Sequence, residues 1–238
     1  MTGSVQADEL PIRRAGVASA MRAAGTRAPE ALAIQHAALR TGTGAVHTLD
    51  TRRWWAEATE ADLTVLAAVT APVIDLGCGP GRLVAALAER GRPALGIDVA
   101  PGAIAAARSR GATVLERSVF GPLPGEGRWA SALLFDGNVG IGGDPVALLR
   151  RVRSLVRPSG TVVVELGEPG LGLRRDHVVL EVAGSRIGPF PWAWVGADVV
   201  TDVAAEAGLA VRRCVPVDRR WFAWLAPESH LDASVAPR

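Results

Sequence analysis

The stretch "PVIDLGCGPGRLVAALAER", residues 72–90, constrains the fold of this chain more than any other. A short apolar run (72–76) ends in a bare glycine loop (77–81), then passes into a helical pattern (82–90) closed by Gly91. That is a buried strand, a tight turn and a helix. The unit recurs. Residues 93–99 read as a second strand, and 100–111 as a helix closed by glycine. Residues 112–116 and 131–136 read as the third and fourth strands. Residues 144–156 form the clearest helix, with Asp144 as N-cap and Pro145 as its first residue. "RPSG" then turns the chain into a fifth strand at 161–166. Short apolar strands alternating with helices predict an open, parallel, doubly wound α/β sheet.

The flanks carry weaker patterns. Residues 1–30 are rich in Ala, Gly, Arg and Ser without a strong period, and read as poorly ordered. Residues 29–40 read as a helix ended by "TGTG" (41–44), and 50–69 as helical from about Trp54. Residues 177–184 read as an extra strand, 196–208 as a helix, and 209–217 with 219–226 as a closing hairpin. The sequence therefore divides into an N-terminal extension (1–45, poorly ordered or helical), one main domain (46–226) and a loose tail (227–238).

Composition narrows the function classes. Of 238 residues, 26 are basic and 24 acidic, and every basic one is arginine. Arginine without lysine, beside abundant Ala, Val and Gly, reflects coding bias. No basic block with interleaved aromatics suggests a nucleic-acid surface. No apolar run reaches membrane-spanning length, and the short alanine-rich segment after Arg14 does not make a signal peptide. Cys78 and Cys214 are the only cysteines, which fits a reduced, cytoplasmic compartment. The four histidines (His36, His47, His177, His230) lack metal-ligand spacing, so no metal site is expected.

In a doubly wound sheet, ligands bind outside the carboxyl ends of the strands. "DLGCGPG" (75–81) stands at such an end. Glycines at 77, 79 and 81 let the backbone approach a ligand closely. Asp98 closes the second strand, where an acid can accept hydrogen bonds from both hydroxyls of a ribose, so the ligand is read as a nucleoside. The dinucleotide fingerprint fails at Arg82, which occupies the position of its third glycine. A phosphate-binding P-loop fails for want of a lysine.

"VIDLGCGPGRLVAAL" resembles the first motif of class I S-adenosylmethionine-dependent methyltransferases. "LGIDVAPGAIAAAR" is similar to that family's acidic second motif, and "LLRRVRSLVRPSGTVVVEL" to its later helix, turn and fifth strand. The resemblance implies a seven-stranded, mostly parallel sheet with an antiparallel last strand, and S-adenosylmethionine as cofactor. It implies that Gly77, Cys78 and Gly79 contact the cofactor's amino-acid part through their backbone, and that Asp75 orients it. Asp98 would take the ribose hydroxyls, with Val99 against adenine. Cys78 would be a small filler. Ser118 fills the slot where the family often places an adenine-binding aspartate, so Val119 or Phe120 shares in adenine recognition.

"FDGNVGIGGD" (135–144) follows the fourth strand, where the family places its substrate-facing loop. Its glycines are read as clearing the acceptor's approach, and Asp136 as meeting the cofactor's methionine part through side chain or carbonyl. Asn138 is read as orienting the acceptor, or else as occupying a left-handed turn. Trp54 and Trp55 are a lid or core residues. Trp192 and Trp194 line a pocket or pack, and Trp221 and Trp224 pack in the hairpin. Arg174, Arg175 and His177 are read as surface or structural before any substrate role. The expected activity is methyl transfer to oxygen or nitrogen of a small molecule. The alternatives are an NAD-dependent oxidoreductase and a non-catalytic S-adenosylmethionine-binding protein.

Overall fold

A computed structural model describes residues 37–182 and 185–228. The described chain opens with a hairpin, Ala37–Thr41 (β1) and Val46–Leu49 (β2), and two short helices, Thr51–Trp55 (α1) and Glu60–Ala67 (α2). Then come Val73–Leu76 (β3), Arg82–Glu89 (α3), Ala94–Asp98 (β4), Pro101–Ser109 (α4), Val114–Glu116 (β5), Trp129–Leu134 (β6), Pro145–Leu155 (α5) and Val156–Leu166 (β7). The chain ends with Leu173–Val182 (β8), Ser185–Val195 (β9), Val200–Glu206 (α6), Leu209–Val217 (β10) and Arg220–Pro227 (β11).

Seven strands form one sheet in the order β10-β11-β7-β6-β3-β4-β5. Strand β3 pairs in parallel with β4 on one side and β6 on the other, and every residue of β3 is buried. A strand covered on both faces must be apolar throughout, as "VIDL" is apart from Asp75. Strand β11 lies antiparallel between β7 and β10. The seven-stranded, mostly parallel sheet is therefore as expected. The chain leaves β3 toward β4 and β5, then returns to β6 and β7 on the far side. This reversal opens a crevice at the carboxyl end of β3. Helix α5 starts as its sequence predicts, with the Asp144 side chain accepting from Ala147 N at 3.1 Å and Pro145 next. It buries Val146, Leu148, Leu149, Val152 and Leu155 on the sheet, an apolar stripe at helical spacing.

A second sheet, order β2-β1-β8-β9, is antiparallel throughout and was not visible in the sequence as a unit. It corrects three expectations. Residues 37–41 are strand rather than helix: Ala37, Leu39 and Thr41 alternate inward and pair with β8, and this distant partner overrides local helical preference. Residues 29–36 lie outside the described part, as do the poorly ordered stretch expected at 1–30 and the tail after residue 228. "TGTG" is a hairpin turn, closed by Thr41 N to Ala45 O at 2.9 Å. Strand β1, paired with β8, lies ahead of residue 46, where the sequence reading starts the main domain. Residues 50–69 form two helices because Thr59 and Asp62 make a capping box that starts a new one. Strand β7 begins at Val156, with a register irregularity opposite Trp129 and Ser131, rather than at Thr161.

Candidate functional site

The glycine turn after β3 hangs on its neighbour: Gly77 N and Cys78 N both donate to Ile97 O, at 2.8 and 3.0 Å. Its three glycines all have positive φ but serve different ends. A side chain at Gly81 would sit 2.7 Å from Ala107 Cβ, so that glycine lets α3 and α4 pack. One at Gly77 would strike Asn138 Nδ2 at 2.5 Å. At Gly79 nothing lies within 4 Å, so this backbone faces open space. Cys78 is buried against Gly96, where a Cβ would come within 2.6 Å of its sulfur. Burial, reinforced by the charges of Asp98 and Asp75, pushes its thiol well above the usual range. It is a filler and stays protonated.

Two aspartates flank this turn. Asp98 accepts from Gly79 N at 2.8 Å on one oxygen and from Ala100 N at 2.9 Å on the other. It fixes the crest of the turn. Val99 beside it is half-buried. Asp75 is 2% exposed, and its Oδ2 has no hydrogen-bond partner. Burial pushes its carboxyl up to about 7; Arg82 opposes this, while Asp136, Asp98 and Asp62 add to it.

Beneath the turn lies a charge network that sequence reading missed. Arg82, only 3% exposed, bonds both oxygens of Asp136 at 3.1 and 3.0 Å and reaches Asp62 at 3.4 Å. Arg53, from α1, bonds Asp136 at 2.7 Å and Glu165 at 3.4 Å. Arg220, from β11, holds both oxygens of Glu165 at 2.9 and 2.6 Å and Asp62 at 2.8 Å. Its guanidinium also lies 4.9 Å from the Phe222 ring. Burial raises Glu165, but Arg220 overcomes this and holds it below the usual range; burial dominates at Asp136 and raises it. The only local trace of this network in the sequence is Arg82 itself, a charged residue opening a helix whose next residues, Leu83 to Leu87, are all buried.

The Asp136 side chain is bonded to Arg53 and Arg82, and its backbone N donates to Glu165 at 2.7 Å. Asn138 does not hold a left-handed position. Asp136 (φ 56°) and Gly137 (φ 77°) do. Instead Asn138 Nδ2 donates to Leu76 O at 3.2 Å and Gly77 O at 2.9 Å, tying the loop after β6 to the glycine turn. These bonds engage the amide nitrogen and leave Oδ1 out. Gly137, Gly142 and Gly143 hold positive φ, and two of the loop's glycines also face a neighbouring strand. A Cβ at Gly140 would lie 1.9 Å from Ala193 O, and one at Gly143 would lie 2.8 Å from Pro191 Cβ. They let β9 cross the loop, where Ile141 bridges to Trp192.

After β5, Ser118 Oγ accepts from Phe120 N at 3.3 Å. Val119 gives its side chain to the main core and its carbonyl to Arg151; Phe120 is the exposed ring of this turn. Trp55 packs on the core of the small sheet, and Trp192 is buried within it. Trp194 is half-buried, its ring 4.6 Å from His47. Trp224 is buried beside Phe222. Arg174, Arg175 and His177 are exposed on β8. Among the described residues, no three His, Cys, Asp or Glu side chains cluster in a metal-holding arrangement, and no helix is long and apolar enough to cross a membrane.

Residues 73–160 match the family model described as a methyltransferase domain. The release factor glutamine methyltransferase of Rhodospirillum rubrum is 32% identical over 221 residues, covering 78% of this chain; the chain spans 62% of that relative's length. Among solved structures, a S-adenosylmethionine-dependent methyltransferase from Bacteroides fragilis, in complex with S-adenosyl-L-homocysteine, superposes with a TM-score of 0.70 at 17% identity, over 92% of this chain and 97% of that one. A Burkholderia thailandensis 1,6-didemethyltoxoflavin-N1-methyltransferase, with 1,6-didemethyltoxoflavin and S-adenosylhomocysteine bound, superposes at 0.53 with 20% identity, over 74% and 80% of the two chains.

Proposed function

We propose, for a chain that belongs to the class I S-adenosylmethionine-dependent methyltransferases, that it methylates an oxygen or nitrogen of a small-molecule acceptor. One observation carries the reading. The turn at Gly79 presents bare backbone to open space between Asp75, with an unpartnered buried oxygen, and Asp98 at the next strand end. That arrangement fits a ligand with a cationic amino-acid part and a ribose. S-adenosylmethionine would supply a methyl group already activated on a sulfonium. The residues then have separable tasks. The backbone of Gly77, Cys78 and Gly79, with Asp75, holds the amino-acid part, and Asp98 takes the ribose hydroxyls. Val99, Ser118 and the exposed Phe120 ring flank the base, with Val119 contributing backbone only. Asn138 keeps the turn and the acceptor loop in register, and Asp136 holds Arg53 and Arg82 in place. In-line displacement needs alignment and exclusion of water more than it needs a strong acid or base. Cys78 stays a thiol and Asn138 takes no proton, so neither serves as base.

The acceptor class is supported by the small-molecule ligand named for the Burkholderia enzyme, and a cytoplasmic setting by the two free cysteines. A main domain running from Ala37 to Pro227 belongs to the same reading. Calorimetry tests it: S-adenosylhomocysteine should bind and NAD should not. Incubation with methyl-labelled cofactor and a metabolite extract should then label a small molecule. Tight NAD binding with no response to S-adenosylhomocysteine would overturn it.

A further inference from the structure

Of the three guanidiniums in the charge network, Arg53 is the partly open one. Its side chain is 23% exposed, against 3% for Arg82 and 12% for Arg220. Arg220 gives all three of its nitrogens to Glu165 and Asp62. Arg53 gives only Nη2, shared between Asp136 at 2.7 Å and Glu165 at 3.4 Å. Its Nε is buried without a partner, and its Nη1 is neither bonded nor buried. A guanidinium can only donate, so whatever completes Nη1 must bring an acceptor, and an anion makes the strongest bond.

The network also sets Arg53 beside the glycine turn. Arg82, the first residue after that turn, shares Asp136 Oδ1 with Arg53. Gly137 follows Asp136, and no atom lies within 4 Å of where a Cβ would stand on it; the same holds at Gly79. Asn138, next in the chain, donates to Gly77 O at 2.9 Å, so these two open stretches of backbone border one crevice. Arg53 is held there before any ligand arrives. Asp136 and Glu165 take its Nη2, and Asp50 accepts from its backbone N at 3.3 Å. A donor already fixed in place costs a ligand little ordering entropy. Arg53, Arg82 and Arg220 match Asp62, Asp136 and Glu165 in number, so these six leave no net negative charge to repel an anion at Nη1.

The ligand proposed above brings such an anion. Its amino-acid part is a zwitterion, and that reading names a charged partner for the ammonium, Asp75, but none for the carboxylate. We propose that Arg53 Nη1 is the carboxylate subsite of this crevice, donating to the α-carboxylate of a bound S-adenosyl ligand. This rests on the methyltransferase reading and assigns a binding role to α1, which lies outside the glycine-turn motif.

Calorimetry on the full chain tests it with S-adenosylhomocysteine and with its decarboxylated analogue, which keeps the nucleoside, thioether and ammonium and lacks only the carboxylate. The wild type should bind S-adenosylhomocysteine about tenfold or more tightly than the analogue. Arg53→Met should erase that preference. Equal binding of both ligands by the wild type overturns the proposal. So does a preference that survives in Arg53→Met, even with both affinities lowered, because it would mark Arg53 as a structural residue. If the variant does not fold, the side-chain N–H resonances of Arg53 in 15N-labelled wild type decide. They should move with S-adenosylhomocysteine and stay nearly still with the analogue, and equal shifts overturn the assignment. If neither ligand binds the wild type, the methyltransferase reading falls first; if both bind alike, only the carboxylate subsite falls.

Discussion

Asp75 offers a measurement in which the proposed site reports on itself without a substrate. Its carboxyl is pushed up to about 7, chiefly by burial, against roughly 3.9 in an unfolded chain. Between those values the folded protein holds a proton that the unfolded chain has released. Stability must then fall as pH rises, by about 1.4 kcal/mol per pH unit, and level off above about 7. From pH 5 to pH 8 this group alone removes about 3 kcal/mol. Asp75→Asn keeps the shape and cannot ionise. Urea unfolding of both proteins without cofactor, across that range, should show the variant gaining stability relative to wild type by about 3 kcal/mol. Other titrating groups are common to both proteins and cancel in the difference. The gain should come with weaker S-adenosylhomocysteine binding, because the same carboxylate is proposed to hold the ligand's ammonium. A stability difference independent of pH would refute the reasoning, since it would mean that Asp75 is ionised, or neutral, equally in both states.

Asp98→Ala should weaken S-adenosylhomocysteine binding at least tenfold by calorimetry, because it removes charge-assisted acceptors and releases Gly79 N. Arg82→Met should lower unfolding free energy by about 3–5 kcal/mol in denaturant titrations, since Asp136 and Asp62 lose a buried partner. Gly140→Ala should destabilise the fold by roughly 1–3 kcal/mol or more, from the clash with Ala193 O, while Gly137→Ala, with no atom in the way, should cost only the roughly 1–2 kcal/mol of its left-handed backbone. Asn138→Gly should cost about 1–3 kcal/mol of stability through its two lost backbone bonds, and an unchanged midpoint would show those bonds to be idle.

The parts of this fold legible in the sequence were those governed by local rules. Buried parallel strands must be apolar throughout, so β3, β4, β6 and β7 stood out, and the Asp144–Pro145 pair marked α5 correctly. The glycine turn was legible because glycines at 77, 79 and 81 directly after an apolar run leave few alternatives to a tight turn, and all three take positive φ. The small sheet was not legible: β1 reads "AALRT", a helix-favouring string, and becomes strand only through β8, which is distant in sequence. The charge network was hidden for the same reason. Asp62, Arg82 and Arg220 each look like surface residues until three separate elements bring them together. The glycines of the loop after β6 were noticed, but the atoms they make room for belong to β9, which no local pattern reveals.

Strand β11 is the last of the sheet to be synthesised, yet it sits inside it, between β7 and β10. It carries Arg220, which neutralises Asp62 from 158 positions away and holds Glu165 as well. A chain that has completed β3 to β7 therefore owns the whole glycine turn, with Arg53 and Arg82, but lacks the third guanidinium of the network. A fragment ending before residue 220 would leave Asp62 with Arg82 at 3.4 Å and Glu165 with Arg53 at 3.4 Å, short of the closer pairing that Arg220 supplies.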